Sequence, residues 1–437
     1  MDVNSQYLHP QYETLSREEI NKLQTQRLQE TVNRCANVPF YARKFKEMGI
    51  NAQDIKSPED VRKLPFTTKQ DLRDSYPFGL AAVLLDKCTR LHSSSGTTGN
   101  PTVILHTQND LEEWANQVAR NLWMVGLRPN DVFQNSSGYG MFTGGLGFQY
   151  GAEKVGMLTV PAAAGNSLRQ IKFITDFGTT AIHAVPSYLT RLYEVMQEQG
   201  VDPRRDTKLK VFAIGAEPHS EEQRQRIQNM FGVKAYNSFG MSEMCGPGVG
   251  FECQEQNGLH FWEDYYIVEI VDPDTLEPVP DGEIGELVLT TLRREAMPLI
   301  RYRTRDLTRV LGRTCPCGRN HVRLDRMKGR SDDMMVLRGV NIFPIQIEKI
   351  LMMFPELASN YLITLTTDND NDNMTVEVEL NEGTDDYGKL QDLEKRIKRQ
   401  LKDEILLTPI VRLVSKGTLP VSEGKAVRVV DKRKVYQ

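Results

Sequence analysis

The sequence predicts an α/β protein. It has a large N-terminal domain, with parallel and mixed sheets flanked by helices plus a barrel-like β region, and a small mobile α+β domain at its C-terminal end. Three observations carry this. Short apolar runs at 157–160, 181–185, 211–214 and 233–236 alternate with single helical segments at 167–177, 187–199 and 220–231. That alternation is the pattern of a parallel sheet covered on both faces. Runs at 265–271 and 285–291, with the turn Pro280-Asp281-Gly282 between them, read instead as antiparallel strands. After the charged stretch Lys328-Gly329-Arg330-Ser331-Asp332-Asp333, which suits a linker, the strand and helix pattern restarts on a smaller scale. The domains are therefore set at 1–329 and 330–437.

In chain order, residues 1–90 read as helical. Ile20, Leu23, Leu28, Val32 and Cys35 recur at roughly helical spacing, and Asn37-Val38-Pro39 ends the run. Ser57-Pro58-Glu59-Asp60 is a helix start, and Leu64-Pro65-Phe66-Thr67-Thr68-Lys69 is an extended piece entering another short helix. Next comes Ser93-Ser94-Ser95-Gly96-Thr97-Thr98-Gly99-Asn100-Pro101, with five hydroxyl side chains and two glycines in nine residues. Flanked by Leu91-His92 and Thr102-Val103-Ile104-Leu105, it reads as a loop slung between two hairpin strands. Glycines let the backbone approach a ligand, and amides and hydroxyls supply donors for polyphosphate oxygens. It is not the usual phosphate loop, because no Gly-Lys-Ser/Thr closes it.

Ligands of parallel sheets bind beyond the carboxyl ends of the strands. Three polar stretches fall there: Ser136-Ser137-Gly138-Tyr139, Gly215-Ala216-Glu217-Pro218 and Asn237-Ser238-Phe239-Gly240-Met241-Ser242-Glu243. The final domain reads as a helix at 344–353, strands at 361–365 and 375–380, a charged helix at 390–401 and a strand at 410–414. The Asn/Asp-rich run 368–373 is taken as a solvated hairpin tip.

Composition narrows the function classes. Lys+Arg 54 against Asp+Glu 58 gives a net charge of −4 over 437 residues, with no basic field for nucleic acid or anionic membrane. No apolar run is long enough to span a bilayer, and the polar start at 1–11 is no signal peptide. Six scattered cysteines do not make a disulfide framework, so a reduced, cytoplasmic protein is expected. Cys253 followed by His260, and Cys315-Pro316-Cys317 followed by His321, form two half-sites with the ligand types zinc prefers. One structural zinc ion on Cys253, His260, Cys315 and Cys317 is expected, with His321 the alternative imidazole; the other reading is reduced core cysteines.

Further motifs run through the chain: Leu64-Pro65-Phe66-Thr67-Thr68-Lys69-Gln70-Asp71-Leu72-Arg73, Tyr139-Gly140-Met141-Phe142-Thr143-Gly144-Gly145-Leu146-Gly147 and Tyr302-Arg303-Thr304-Arg305-Asp306-Leu307. Together with the hydroxyl-rich loop, they resemble the adenylate-forming superfamily of acyl-CoA ligases, luciferases and peptide-synthetase adenylation domains. More narrowly, the chain resembles phenylacetate–CoA ligases over essentially its whole length. The resemblance implies ATP, Mg²⁺ and coenzyme A, and two half-reactions. An aryl acid forms an acyl-adenylate with release of pyrophosphate, and the coenzyme A thiol then displaces AMP.

The resemblance also implies roles for particular residues. Ser94, Ser95, Gly96, Thr97, Thr98 and Gly99 hold the β- and γ-phosphates, although Thr102 stands where the family usually carries a lysine. Gly215, Ala216, Glu217 and Pro218 line the adenine pocket beside Asn237, Ser238 and Phe239, and the motif runs on through Gly240, Met241 and Ser242 to Glu243. Glu243 orients Mg²⁺, and Asp306 accepts from the ribose hydroxyls. Tyr139, Phe142, Gly144, Gly145 and Gly147 form the acyl pocket, with Phe148 either in it or in the core. Arg330 and Asp332 mark the hinge, Arg338 and Gly339 the coenzyme A side, and Lys425 the adenylation lysine. A homodimer is a family expectation. Two other functions stay open: a free-standing adenylation protein loading a carrier-protein thiol, and a non-catalytic nucleotide sensor.

Overall fold

The structure is a computed structural model that describes residues 3–93, 100–141, 143–337, 340–368, 371–381, 387–420 and 427–433. The α/β class and the small C-terminal α+β region are as expected. By compactness the chain forms two units, one of residues 1–163, 179–183 and 236–327, the other of 164–178, 184–235 and 328–437.

In the first unit, helix Arg17–Cys35 starts at a capping box in which Ser16 and Glu19 satisfy each other's backbone N–H. It buries Ile20, Leu28, Val32 and Cys35, while Leu23 is only half-buried. Gln24 takes the inward position instead, donating to the carbonyls of Glu263 (2.9 Å) and Tyr266 (3.0 Å). The helix ends before Asn37-Val38-Pro39, as expected, and Pro39 has a second part. It opens a new helix, Pro39–Met48, because a proline at the first helical position gives up no needed N–H. Thr67 exchanges backbone bonds with Arg301 and Arg303, and Thr68 caps helix Lys69–Asp74, so the entry segment is tied to the strand Tyr302–Thr308.

Strands Arg90–Ser93 and Val103–His106 pair antiparallel with Ser93 opposite Val103, the expected hairpin. Its connection, residues 94–99, lies outside the described residues. Strand Val132–Asn135 has Leu158–Val160 and Ala181–Ala184 as parallel neighbours. Antiparallel pairing then links Lys234–Met241, Gly246–Glu252, Leu259–Phe261, Arg323–Leu324 and Val310–Gly312 in that order. A separate antiparallel group joins Tyr266–Val271, Gly285–Thr291 and Tyr302–Thr308. Helices Gln108–Met124 and Gly144–Val155 lie face to face. A Cβ at Gly147 would run into Trp114, and one at Gly151 into Val118, so these glycines set how closely the helices approach.

The second unit holds strand Val211–Gly215 and helices Ser167–Asp176, Pro186–Glu198 and Glu221–Phe231. Its C-terminal part is a sheet in the order Ile410–Val414, Asn371–Leu380, Leu357–Asp368, Val429–Asp431. Helices Pro344–Met352 and Tyr387–Ile405 share its core through Ile347, Leu351, Ile397 and Leu401 with Ile363, Leu365, Val376 and Val378. The Asn/Asp-rich tip is shorter than expected. Pairing persists to Asp368 opposite Asn371, and Thr367 donates to Asp372 (2.7 Å), so these residues extend the ladder.

Candidate active site

Strand Lys234–Met241 turns back through one tight helical turn, Ser242–Met244, into Gly246–Glu252. The hairpin is close enough that a Cβ at Gly240 would strike the Gly246 carbonyl, and Cys245 takes a left-handed φ of 84°. This places Glu243 in the turn, buried at 7% exposure. Tyr302 donates its hydroxyl to Glu243 Oε1 at 3.3 Å. Among the described residues no lysine or arginine pairs with Glu243. A buried carboxylate with no cationic partner among the described residues is the kind of oxygen ligand a hard divalent cation takes.

Ser242 meets Thr143 hydroxyl to hydroxyl at 3.2 Å, joining the glycine-rich stretch to the Glu243 turn. In strand Tyr302–Thr308 alternation puts Tyr302, Thr304, Asp306 and Thr308 on one buried face. The neighbouring arginines are matched elsewhere: Arg301 to Glu269 (2.8 Å), Arg303 to Glu286 (2.7 Å) and Arg309 to Asp325 (3.0 Å). Asn237 is fixed through its N–H to Glu252 (2.7 Å), and Phe239 lies against Phe261. Tyr302 was present in the sequence motif without a role; its position four residues before Asp306 on one strand was the available signal.

Tyr139 and Gly145, expected in the acyl pocket, sit on a polar network that the motifs did not name. Asn135, at the end of its strand, donates Nδ2 to the Tyr139 hydroxyl (2.9 Å) and to the Gly145 carbonyl (2.5 Å). Its Oδ1 faces His183 Nδ1 at 2.9 Å, and the imidazole stacks on Phe148 with ring centres 3.8 Å apart. Burial lowers the His183 pKa to about 3 and raises that of Tyr139 to about 12. Phe148, between Phe133 and Phe251, is core. Gly144, Gly145 and Gly147 open helix Gly144–Val155, and a Cβ on Gly145 would lie 2.5 Å from the Gly138 carbonyl. The signal for His183 was a lone polar residue inside the apolar run Ala181-Ile182-His183-Ala184.

In the second unit, Gly215-Ala216-Glu217-Pro218 forms the turn after strand Val211–Gly215, with Ala216 at φ 68°. The Glu217 carboxylate accepts from Ser187 N (2.5 Å) and Oγ (3.0 Å) near the start of helix Pro186–Glu198, where negative charge is favoured. Arg330 grips Asp332 with two hydrogen bonds, 2.9 and 2.8 Å. Phe142, Arg338, Gly339 and Lys425, like loop 94–99, lie outside the described residues.

The cysteine half-sites do converge. The ligand atoms of Cys253, His260, Cys315 and Cys317 all lie within 4.8 Å of one another. The sulfurs of Cys253 and Cys315 are 3.7 Å apart, and Cys317 Sγ is 3.5 Å from His260 Nε2. Thiolates bound at ~2.3 Å on a tetrahedron stand about 3.8 Å apart, so the spacing suits zinc. His321 is occupied elsewhere, accepting from Glu263 N (3.0 Å) and donating to the Tyr12 carbonyl (2.9 Å). The N-terminal segment rests on this knuckle: Gln6 Nε2 and the Tyr7 hydroxyl donate to the Cys317 carbonyl at 3.0 and 3.4 Å.

Two family models match, "AMP-binding enzyme" over residues 59–292 and "AMP-binding enzyme C-terminal domain" over 339–433. The phenylacetate–coenzyme A ligase of Thermus thermophilus is 44% identical over 97% of this chain and 99% of its own length. The chain belongs to the phenylacetate–CoA ligase family of AMP-binding enzymes. The Escherichia coli phenylacetate–coenzyme A ligase is 43% identical, covering 97% of each chain. Among solved structures, 2-hydroxyisobutyryl-CoA ligase in its postadenylation state superposes with a TM-score of 0.93 at 29% identity, over 99% of this chain and 94% of that one. The same enzyme in its thioesterification state gives 0.73 at 30% identity, over 99% and 95%. No helix among the described residues is long and apolar enough to cross a membrane.

Proposed function

We propose that this member of the phenylacetate–CoA ligase family joins an aryl acid, most simply phenylacetate, to coenzyme A at the expense of ATP. The acid's carboxylate oxygen attacks the α-phosphorus, the bond to the bridging oxygen breaks, and pyrophosphate leaves. The coenzyme A thiol then attacks the acyl carbon, and AMP leaves with the former carboxylate oxygen. The observation that supports this most directly is the meeting of Thr143, Ser242, Glu243 and Tyr302, from three distant stretches, with Asp306 on the same buried face as Tyr302.

Glu243 would hold Mg²⁺, oriented by the Tyr302 hydroxyl; the ion, when bound, neutralises phosphate oxygens. By resemblance Asp306 would take the ribose, Gly215, Ala216, Glu217 and Pro218 the adenine, and residues 94–99 and Lys425 the phosphates. Residues 1–329 and 330–437 act as the two moving parts, with Arg330 and Asp332 at the hinge and Arg338 and Gly339 toward coenzyme A. Zinc on Cys253, His260, Cys315 and Cys317 is structural, and metal analysis of protein purified without added zinc should find it near stoichiometry. We place the enzyme in the cytoplasm as a homodimer, which sedimentation tests.

Pyrophosphate release with phenylacetate, indoleacetate, benzoate and octanoate, with and without coenzyme A, tests the function. Aryl acids should release pyrophosphate, and thioester should appear only with coenzyme A. Octanoate turned over as well as phenylacetate would sink the aromatic reading. Adenylate that never transfers to coenzyme A would favour loading of a carrier-protein thiol.

A further inference from the structure

We propose that Cys315 is an oxidant-reactive thiol with Cys253 as its resolving partner, so that a peroxide closes a disulfide in the cysteine–histidine knuckle and unseats the N-terminal segment. The chemistry needs only the thiols, with or without the metal read there, and does not depend on the ligase reading. Of the six cysteines, Cys35, Cys245, Cys253 and Cys317 are buried, and only Cys88 and Cys315 are partly exposed. Cys315 sits in a turn closed by the Gly318 N–H on its carbonyl (2.9 Å), with Arg313, Thr314, Pro316 and Gly318 exposed around it. A reachable sulfur with a second thiol beside it is what an oxidant-sensitive pair requires. Cys253 Sγ supplies that second thiol at 3.7 Å. Cys317 is engaged differently, its sulfur 3.5 Å from His260 Nε2. Only Pro316, with its fixed φ, separates Cys317 from Cys315, so a bridge between those two would be strained.

The sulfur of Cys315 attacks one oxygen of hydrogen peroxide, the O–O bond breaks, and hydroxide leaves with the thiol's proton as water. The Cys253 sulfur then attacks the sulfenic sulfur, an S–S bond forms, and the S–O bond breaks. That oxygen leaves as a second water with the Cys253 proton, two thiols having given up two electrons to one peroxide. Closure removes two of the four donors, leaving Cys317 and His260 too few to retain zinc. Bonded sulfurs stand about 2.05 Å apart, so the pair must approach by roughly 1.7 Å. Cys253 is fully buried and follows directly on strand Gly246–Glu252, so the exposed loop carrying Cys315 does the moving. The same loop seats the start of the chain. Cys317 accepts from Gln6 and Tyr7, Arg319 pairs with Glu13 at 2.7 Å, and Asn320 donates to the Leu15 carbonyl at 3.1 Å. A displacement of that size exceeds the reach of these bonds.

The test treats the reduced full-length protein with a small excess of hydrogen peroxide, followed by non-reducing peptide mapping and limited proteolysis. A Cys253–Cys315 disulfide should be the main product, and cleavage before residue 20 should speed up about tenfold or more. Dithiothreitol with added zinc should reverse both. Cys88→Ser, which removes the other partly exposed thiol, should respond like the wild type. Cys253→Ala should stop at a Cys315 sulfenic acid that dimedone traps. Cys315 left reduced while Cys88 is oxidised, a bridge between any other pair, or a Cys253–Cys315 bridge with unchanged N-terminal cleavage would each overturn the proposal. A protein that carries no zinc yet forms this bridge and loosens its N-terminus would sink the metal reading alone.

Discussion

Glu348 accepts the backbone N–H of Ser220 at 2.7 Å while Tyr361 donates its hydroxyl to the other carboxylate oxygen at 3.0 Å. One buried carboxylate thus joins helix Pro344–Met352 to the residue capping helix Glu221–Phe231, just past the turn 215–218. Burial raises the Glu348 carboxyl above its ordinary 4.5, with Arg428, Tyr361 and Glu217 the other ionisable groups around it. The folded state therefore binds this proton more tightly than the unfolded state. The associated stability is full below pH 4.5 and fades as pH rises through the raised folded value. Glu348→Gln should keep the shape and lose that fade, while Glu348→Ala should cost about 1–3 kcal/mol by orphaning two donors. Urea unfolding at pH 5 and pH 8 checks both. A wild type that gains stability between these pH values relative to Glu348→Gln would refute the assignment.

Lys425 should separate the two half-reactions. With Thr102 in place of a loop lysine, Lys425→Ala should slow acyl-adenylate formation by orders of magnitude. Thioester formation from pre-formed phenylacetyl-AMP should stay near normal. Asp332→Pro, which stiffens the backbone beside Arg330, should do the reverse. Equal loss of both half-reactions in Lys425→Ala, measured by quenched flow, would mean a structural lysine.

Gly147 and Gly145 should respond differently to alanine. At Gly147 the added methyl meets Trp114 between two helices, so overpacking of about 1–3 kcal/mol should appear in thermal unfolding. The KM for the acid should barely move. At Gly145 the methyl meets the Gly138 carbonyl beside the Asn135 network, so the KM for the acid should rise while that for ATP holds. An acid KM that rises more for Gly147→Ala than for Gly145→Ala would reverse these assignments.

Cys315→Ser, or a strong chelator on the wild type, should remove the zinc and lower Tm by about 5 °C or more. Because Gln6 and Tyr7 rest on the Cys317 carbonyl, limited proteolysis should then cut first near the N-terminus. Unchanged Tm and cleavage pattern in a metal-free preparation would show the cluster to be reduced thiols.

The periodic elements were legible because their pattern reports burial directly: strand Ile410–Val414 and helix Glu221–Phe231 fall within a residue of expectation. Motif residues were legible because glycine and carboxylate placement is demanded by the local turn, as at Gly240 and Glu243. Asn135, His183 and Glu348 were not, because each owes its role to a partner far away in sequence. Pro39 ends the first run as read, but its second part, opening the next helix, was not legible, because only the packing of Tyr41 and Phe45 decides it. The choice between His260 and His321 likewise needed three-dimensional neighbours.

The contact between Gln6 and Cys317 spans 311 positions, and the buried pair of Glu13 with Arg319 spans 306. At roughly 5–20 residues per second, a ribosome leaves the first segment waiting on the order of 15–60 s for these partners. Ser5 meets Trp123 and Arg128, but Tyr7, Tyr12 and Glu13 gain their partners Cys317, His321 and Arg319 only when residues 317–321 emerge. Completion of the first unit is therefore a late event in synthesis, and a chain terminated before residue 317 would release its leading helices without the knuckle they settle on.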